Sequence, residues 1–99
     1  MNCEKELKNN FVIIMPAYNE EDRIASTISG IRRCSDAAII VVSDGSVDNT
    51  ANEARSSGAN VIELPFNMGY GAALQTGFKY ALKKKYEFAV QMDADGQHD

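Results

Sequence analysis

Phe11-Val12-Ile13-Ile14-Met15 and Ala38-Ile39-Ile40-Val41-Val42 decide how this chain folds. Both runs are apolar at every position and rich in β-branched residues. A strand with one face in water alternates apolar and polar side chains, whereas a strand without alternation has both faces covered. That is the pattern of a parallel sheet between two layers of helices. Asn60-Val61-Ile62-Glu63-Leu64 and Glu87-Phe88-Ala89-Val90-Gln91-Met92 repeat it with polar residues inside, and read as two further strands.

Working outward, the segments between these runs carry helical spacing. In Glu20–Arg33, Ile24, Ile28 and Ile31 fall on one stripe. Acidic Glu20, Glu21 and Asp22 are expected in the first turn, and Arg32 and Arg33 in the last, where the helix dipole favours them. Asp48–Ser57 is a shorter helix, with Asp48 as N-cap and Gly58 as its stop. Gly71–Lys84 repeats Ala73/Leu74, Gly77/Phe78 and Ala81/Leu82 every four residues. The order β-α-β-α-β-α-β predicts an α/β fold: a Rossmann-like parallel sheet of order 3-2-1-4, with right-handed crossovers and helices on both faces. Ligands of such sheets bind beyond the carboxyl ends of the strands, where the strand order reverses. Here that point lies between strands 1 and 4.

Composition narrows the classes of function. The chain has 99 residues, enough for one small domain. Hydrophobic residues make up 44% and charged residues 24%, which sets disordered and fibrous classes aside. A net charge of -4 argues against a nucleic-acid partner, because phosphate backbones are bound by basic surfaces. No apolar run approaches the roughly 20 residues of a membrane helix. Met1–Asn10 is a polar lead-in without the apolar core of a signal segment, so residues 11–99 form the domain. Cys3 and Cys34 lack metal-site spacing, and the expected setting is cytoplasmic.

Three stretches carry the candidate chemistry. Asp93-Ala94-Asp95 places two carboxylates at a strand end. Their repulsion is relieved by a proton or a cation, and Mg²⁺ or Mn²⁺ shared with substrate phosphates is the usual relief. Gln97, and less directly His98, would complete that shell; the alternative is a solvated acidic turn. Asp44, in Ser43-Asp44-Gly45-Ser46, offers acceptors to a nucleobase N–H, or else belongs to an ordinary Asp-Gly turn. Asn67-Met68-Gly69-Tyr70-Gly71 opens the third helix, where backbone amides suit a diphosphate; the alternative is a tight turn with close helix packing. Tyr70, Tyr80, Tyr86 and Phe78 read as core or helix surface.

Ile14-Met15-Pro16-Ala17-Tyr18-Asn19-Glu20-Glu21, Val42-Ser43-Asp44-Gly45-Ser46-Val47-Asp48-Asn49-Thr50, Asn67-Met68-Gly69-Tyr70-Gly71-Ala72-Ala73-Leu74 and Met92-Asp93-Ala94-Asp95-Gly96-Gln97-His98-Asp99 together resemble the N-terminal half of a family 2 glycosyltransferase with the GT-A fold. The match is nearest to the dolichyl-phosphate mannose/glucose synthase-like branch. The resemblance implies that Pro16, Ala17, Tyr18, Glu20 and Asp44 hold the base and ribose of a UDP- or GDP-sugar. It implies that Asn67, Gly71, Asp93 and Ala94 border the donor, and that Asp93, Asp95 and Gln97 surround Mg²⁺ or Mn²⁺. Transfer with inversion to a polyprenyl phosphate or a saccharide would follow, at the cytoplasmic face of a membrane in the first case. Ser43 departs from the pattern, which has an acidic residue there.

The motif at Asp93–Asp99 ends the chain, so the expectation is an N-terminal piece of a longer enzyme. The acceptor half and any catalytic residue would then lie further on, and this piece would be inactive alone. Its strand 4 would be a long exposed edge, which invites self-association. Two alternatives are a non-catalytic nucleotide-binding or signalling module of the receiver kind and a sugar-phosphate nucleotidyltransferase. The first wants acidic residues after strand 1, where Met15-Pro16-Ala17-Tyr18 stands; the second wants a Gly-rich, Arg-containing loop there.

Overall fold

The computed structural model describes residues 11–94. The polar lead-in at 1–10 and the motif positions Asp95, Gln97 and His98 lie outside the described residues. The elements run β1 (Phe11–Ala17), α1 (Ile24–Arg32), β2 (Ala38–Asp44), α2 (Thr50–Ser56), β3 (Asn60–Leu64), α3 (Tyr70–Lys83) and β4 (Phe88–Gln91). The strands form one sheet of order β3-β2-β1-β4, parallel throughout, with Ile14 opposite Ile40 on one side and Gln91 on the other. This is the expected topology.

The two apolar runs divide between the faces residue by residue. Ile13, Met15, Ile39 and Val41 pack with Ile24 and Ile28 of α1 and Ala54 of α2. Val12, Ile14, Ile40 and Val42 pack with Ala73 and Ala81 of α3 on the other face. Each such aliphatic burial stabilises the fold by roughly 1.5–3 kcal/mol, so the centre of the sheet dominates the core. The chain steps from β1 to β3 with its helices on one face, then returns to β4 with α3 on the other, which keeps one hand of crossover. In α3 the small member of each pair points inward. Ala73, Gly77 and Ala81 are buried, whereas Phe78 and Leu82 are exposed. A Cβ on Gly77 would run into the Ile14 side chain, so the helix lies flush against β1 and β2.

Three local expectations are corrected. Helix α1 begins at Ile24, and Glu20, Glu21 and Asp22 precede it, leaving no acid in its first turn. The main chain there turns instead, with Arg23 N and Ile24 N both donating to Glu20 O at 3.0 and 2.9 Å. Helix α2 begins at Thr50 with Asn49 at its N-cap, one residue after the expected cap; Asp48 still accepts from the Thr50 amide at 3.0 Å. Strand β4 is exposed along its whole length but spans four residues, so the edge is short.

Pro16 explains where the sheet opens. Met92 N donates to Ile14 O at 3.0 Å, the last main-chain bond between β1 and the segment leaving β4 among the described residues. By the two-residue alternation of a strand, Pro16 turns the same edge toward β4, past the end of the ladder. A residue without an N–H is tolerated there because nothing remains to accept it. On its other side β1 continues beside β2 to the pairs Pro16 with Val42 and Ala17 with Ser43. The carboxyl ends of β1 and β4 therefore part, and a cleft begins.

Candidate functional site

The cleft has a volume of about 430 Å³ and lies at the reversal point between β1 and β4. Its walls include Pro16, Ala17, Tyr18 and Glu20 after β1, Asp44 after β2, Asn67 before α3, and Asp93 and Ala94 after β4. Of the described residues expected at a substrate site, these are brought together. Gly71 does not border the cleft; it sits in the first turn of α3, facing open space. Gly69, Tyr70 and Ala73 border it instead.

Asp44 is 4% exposed, and a buried carboxylate needs donors. Met68 N donates to its Oδ1 at 2.8 Å and Gly69 N to its Oδ2 at 3.0 Å, while Asn67 Nδ2 reaches its main-chain oxygen at 3.3 Å. The amides expected to be open to a diphosphate at the entry to α3 are thus occupied by the protein's own anion. Gly69 makes this possible with φ 105°, a backbone state that residues with side chains rarely adopt. Gly45 has φ 70°, and a Cβ there would collide with the backbone of Phe66 and Asn67. The loop carrying Asp44 and the loop carrying Asn67 can meet only across a glycine. Ser43 is 3% exposed, so the position where an acid was expected lies inside the fold.

The loops after β1 and β2 are laced together. Asn19 N donates to Ser46 Oγ at 3.1 Å, and Val47 N donates to Asn19 Oδ1 at 3.0 Å. Glu20 N donates to Thr50 Oγ1 at 2.8 Å, Glu21 N to Asp48 Oδ2 at 3.3 Å, and Asn49 N to Glu21 Oε1 at 2.9 Å. Thr50, fully buried, donates its hydroxyl to Asp48. Burial pulls the Asp48 carboxyl upward, but the hydrogen bonds from Thr50 and Glu21 outweigh it and hold the group below its usual 3.8. None of Glu21, Asp48 or Thr50 was read from the sequence as a support of the site. Of the acids before α1, Glu21 gives its carboxylate to this lacing and Glu20 its main-chain amide.

At the opposite end, the Tyr70 hydroxyl donates to Asp93 Oδ1 at 3.4 Å and accepts from Gln91 Nε2. Partial burial raises the Tyr70 phenol above its usual value, and the neighbouring Asp93 charge raises it further. It is therefore a neutral donor at physiological pH. Tyr70 had read as core or helix surface; its place directly after Gly69, opposite the end of β4, was the available signal. Asp93 takes part in neither of the ion pairs among the described residues, Arg23–Glu20 and Arg55–Glu63. The described residues hold no cluster of three or more potential metal ligands. Asp93 does present a hard carboxylate oxygen to the cleft, the donor chemistry that Mg²⁺ and Mn²⁺ prefer.

The four-stranded parallel sheet of order 3-2-1-4, with its cleft between β1 and β4, matches the GT-A fold of the glycosyltransferase structures it resembles. The chain belongs to glycosyl transferase family 2, whose family model matches residues 12–99. It is 35% identical over 94 residues to polyprenol monophosphomannose synthase of Mycolicibacterium smegmatis, covering 88% of this chain and 36% of that protein. It is 35% identical over 103 residues to UDP-N-acetylglucosamine--dolichyl-phosphate N-acetylglucosaminyltransferase of Methanococcus voltae, covering 87% of this chain and 41% of that one. These relatives are named for polyprenyl- and dolichyl-phosphate sugar transfer, the branch the sequence resembles, and the family match sets the receiver and nucleotidyltransferase alternatives aside. Among solved structures it resembles glucosyl-3-phosphoglycerate synthase from Mycobacterium tuberculosis, in complex with Mn²⁺, UDP and glucosyl-3-phosphoglycerate. The TM-score is 0.73 at 30% identity, covering 94% of this chain and 38% of that one. The chain spans about two fifths of the length of the curated relatives it matches.

Proposed function

We propose that this chain is the donor-binding part of an enzyme that transfers a sugar from UDP- or GDP-sugar, with inversion, to a polyprenyl phosphate or a saccharide. The observation that carries the reading is the cleft at the strand reversal, with Asp44 at one end and Asp93 at the other. Pro16, Ala17, Tyr18, Glu20 and Asp44 form the base and ribose end, and Asn67, Asp93 and Ala94 the phosphate end. Gly71 is retained only as a backbone neighbour of that end. Asp93, with Asp95 and Gln97, would hold Mg²⁺ or Mn²⁺. When bound, that ion stabilises the departing nucleoside diphosphate as a Lewis acid. The matched synthase, crystallised with Mn²⁺ and UDP, and the polyprenyl-phosphate names among the relatives support both choices. A phosphate monoester has its second pKa near ~6, so a polyprenyl phosphate arrives mostly ionised and needs little help from a base.

Calorimetry of UDP and GDP, with and without Mn²⁺, tests the reading on this chain. One nucleotide should bind more tightly with the metal, and Asp93→Asn should remove that increment. Equal binding by both versions, indifferent to metal, would defeat the metal role. No helix among the described residues is long and apolar enough to cross a membrane. The cytoplasm, or its membrane face where lipid acceptors are met, is the proposed setting.

Among the described residues no strand pairs with the outer edge of β4, which supports self-association. Phe88 is 50% exposed and Val90 40%, and a second, more apolar depression of about 590 Å³ beside them is bordered by Phe11, Ile13, Ile31 and Met92. Unpaired edge amides and carbonyls next to apolar surface recruit another chain. Sedimentation should show a concentration-dependent dimer that Val90→Lys weakens. A monomer at every concentration would refute this.

A further inference from the structure

Tyr70 stands beside both ends of the cleft, and packing does not account for it. The residue is 51% exposed, yet its hydroxyl is engaged with Asp93 and with Gln91. From behind it is fixed: Gly69 turns the chain into α3, and Asp44 grips the amides of Met68 and Gly69. The segment it reaches leaves an edge strand whose four residues are all exposed. Beyond Gln91 it is tied by the main-chain bond from Met92 to Ile14 and by Ala94, buried in the core, and Asp93 lies between these two anchors.

We propose that Tyr70 is a positioning residue: its hydroxyl fixes the Asp93 carboxylate toward the cleft, at a set distance from the Asp44 end. The proposal rests on the nucleotide-sugar reading above. The chemistry of a phenol suits the task. It contributes one neutral O–H to one carboxylate oxygen, leaving the remaining lone pairs free. A lysine or arginine in the same place would also orient the carboxylate, but would cancel the charge that attracts a divalent cation. Tyr70 orders the acid without neutralising it.

The test compares the parent chain with Tyr70→Phe and Asp93→Asn, using UDP, Mn²⁺ and Mg²⁺ as probes. Tyr70→Phe should weaken Mn²⁺ binding to the UDP-saturated chain by about three- to tenfold, the size of one partly exposed hydrogen bond to a charged group. Metal-free UDP binding and the urea midpoint should stay within error, which a merely structural role would not allow. By NMR, Mg²⁺ should shift the Tyr70 ring Cζ resonance in the parent and leave it in place in Asp93→Asn. If Tyr70→Phe binds Mn²⁺ as tightly as the parent while Asp93→Asn does not, the positioning role is overturned and the nucleotide-sugar reading stands. If Tyr70→Phe loses metal-free UDP binding and stability together, the residue is structural and the proposal fails. If the parent binds neither nucleotide under any metal condition, both readings fall.

Discussion

On the β2 flank of the cleft the loops hold one another; on the β4 flank, among the described residues, the Tyr70 side chain spans the gap. Asn19, Glu20 and Glu21 are bonded to Ser46, Asp48, Asn49 and Thr50, and Asp44 in turn secures Met68 and Gly69. Across the cleft, Asp93 is met by Tyr70, on a segment leaving an exposed edge strand. Networks whose members restrain each other lose less entropy when a ligand arrives, because the ordering is already done. The Asp44 end of the cleft is therefore built in advance by this chain. The Asp93 end carries fewer such bonds among the described residues.

The largest expected effect that would break this contrast comes from Gly45→Ala. The substitution meets both a positive φ and the backbone of Phe66 and Asn67, so a loss of about 3 kcal/mol or more is expected in urea unfolding. A loss below about 1 kcal/mol would mean that the two loops are not in fact pressed together. Next comes Thr50→Val, which removes the hydroxyl shared by Glu20 and Asp48 while keeping the side-chain volume. We expect about 1–2 kcal/mol, with UDP affinity falling alongside it. No change in either would leave the lacing without energetic content.

The smallest effect concerns pH and sharpens the same comparison. Asp48 has a lowered pKa in the folded chain, so the unfolded chain binds its proton first as the solution is acidified. Its contribution is complete above its usual 3.8 and is lost as pH falls through the lower folded value. The urea midpoint of the parent should drop below about pH 4 by more than that of Asp48→Asn. Identical pH profiles would remove Asp48 from the account.

Much of the architecture could be read from the residues in order. Phe11–Met15 and Ala38–Val42 specify a sheet covered on both faces because each neighbouring pair of side chains must go to opposite sides. Ile24, Ile28 and Ile31 specify which face of α1 is inward. Strand order then followed from the alternation of elements, and the place of the cleft followed from strand order. What could not be read was which polar group would satisfy which. Glu21 looked like a helix-dipole residue, and it is instead bonded to Asn49, 28 positions away. The amides after Asn67 looked vacant, and they are held by Asp44, 24 and 25 positions away. Gly69 and Gly71 read alike from the sequence, with Gly71 expected to border the donor, but the unusual backbone angle belongs to Gly69.

Periodicity and apolar content are properties of neighbours along the chain, so the sequence by itself determined the strands, most of the helices and the point where the sheet reverses. Hydrogen-bond partners between loops are chosen only when folding brings distant segments within about 3 Å. That is why the tertiary structure alone could assign Asp44 to the entry of α3, Thr50 to the loop after β1, and Tyr70 to Asp93.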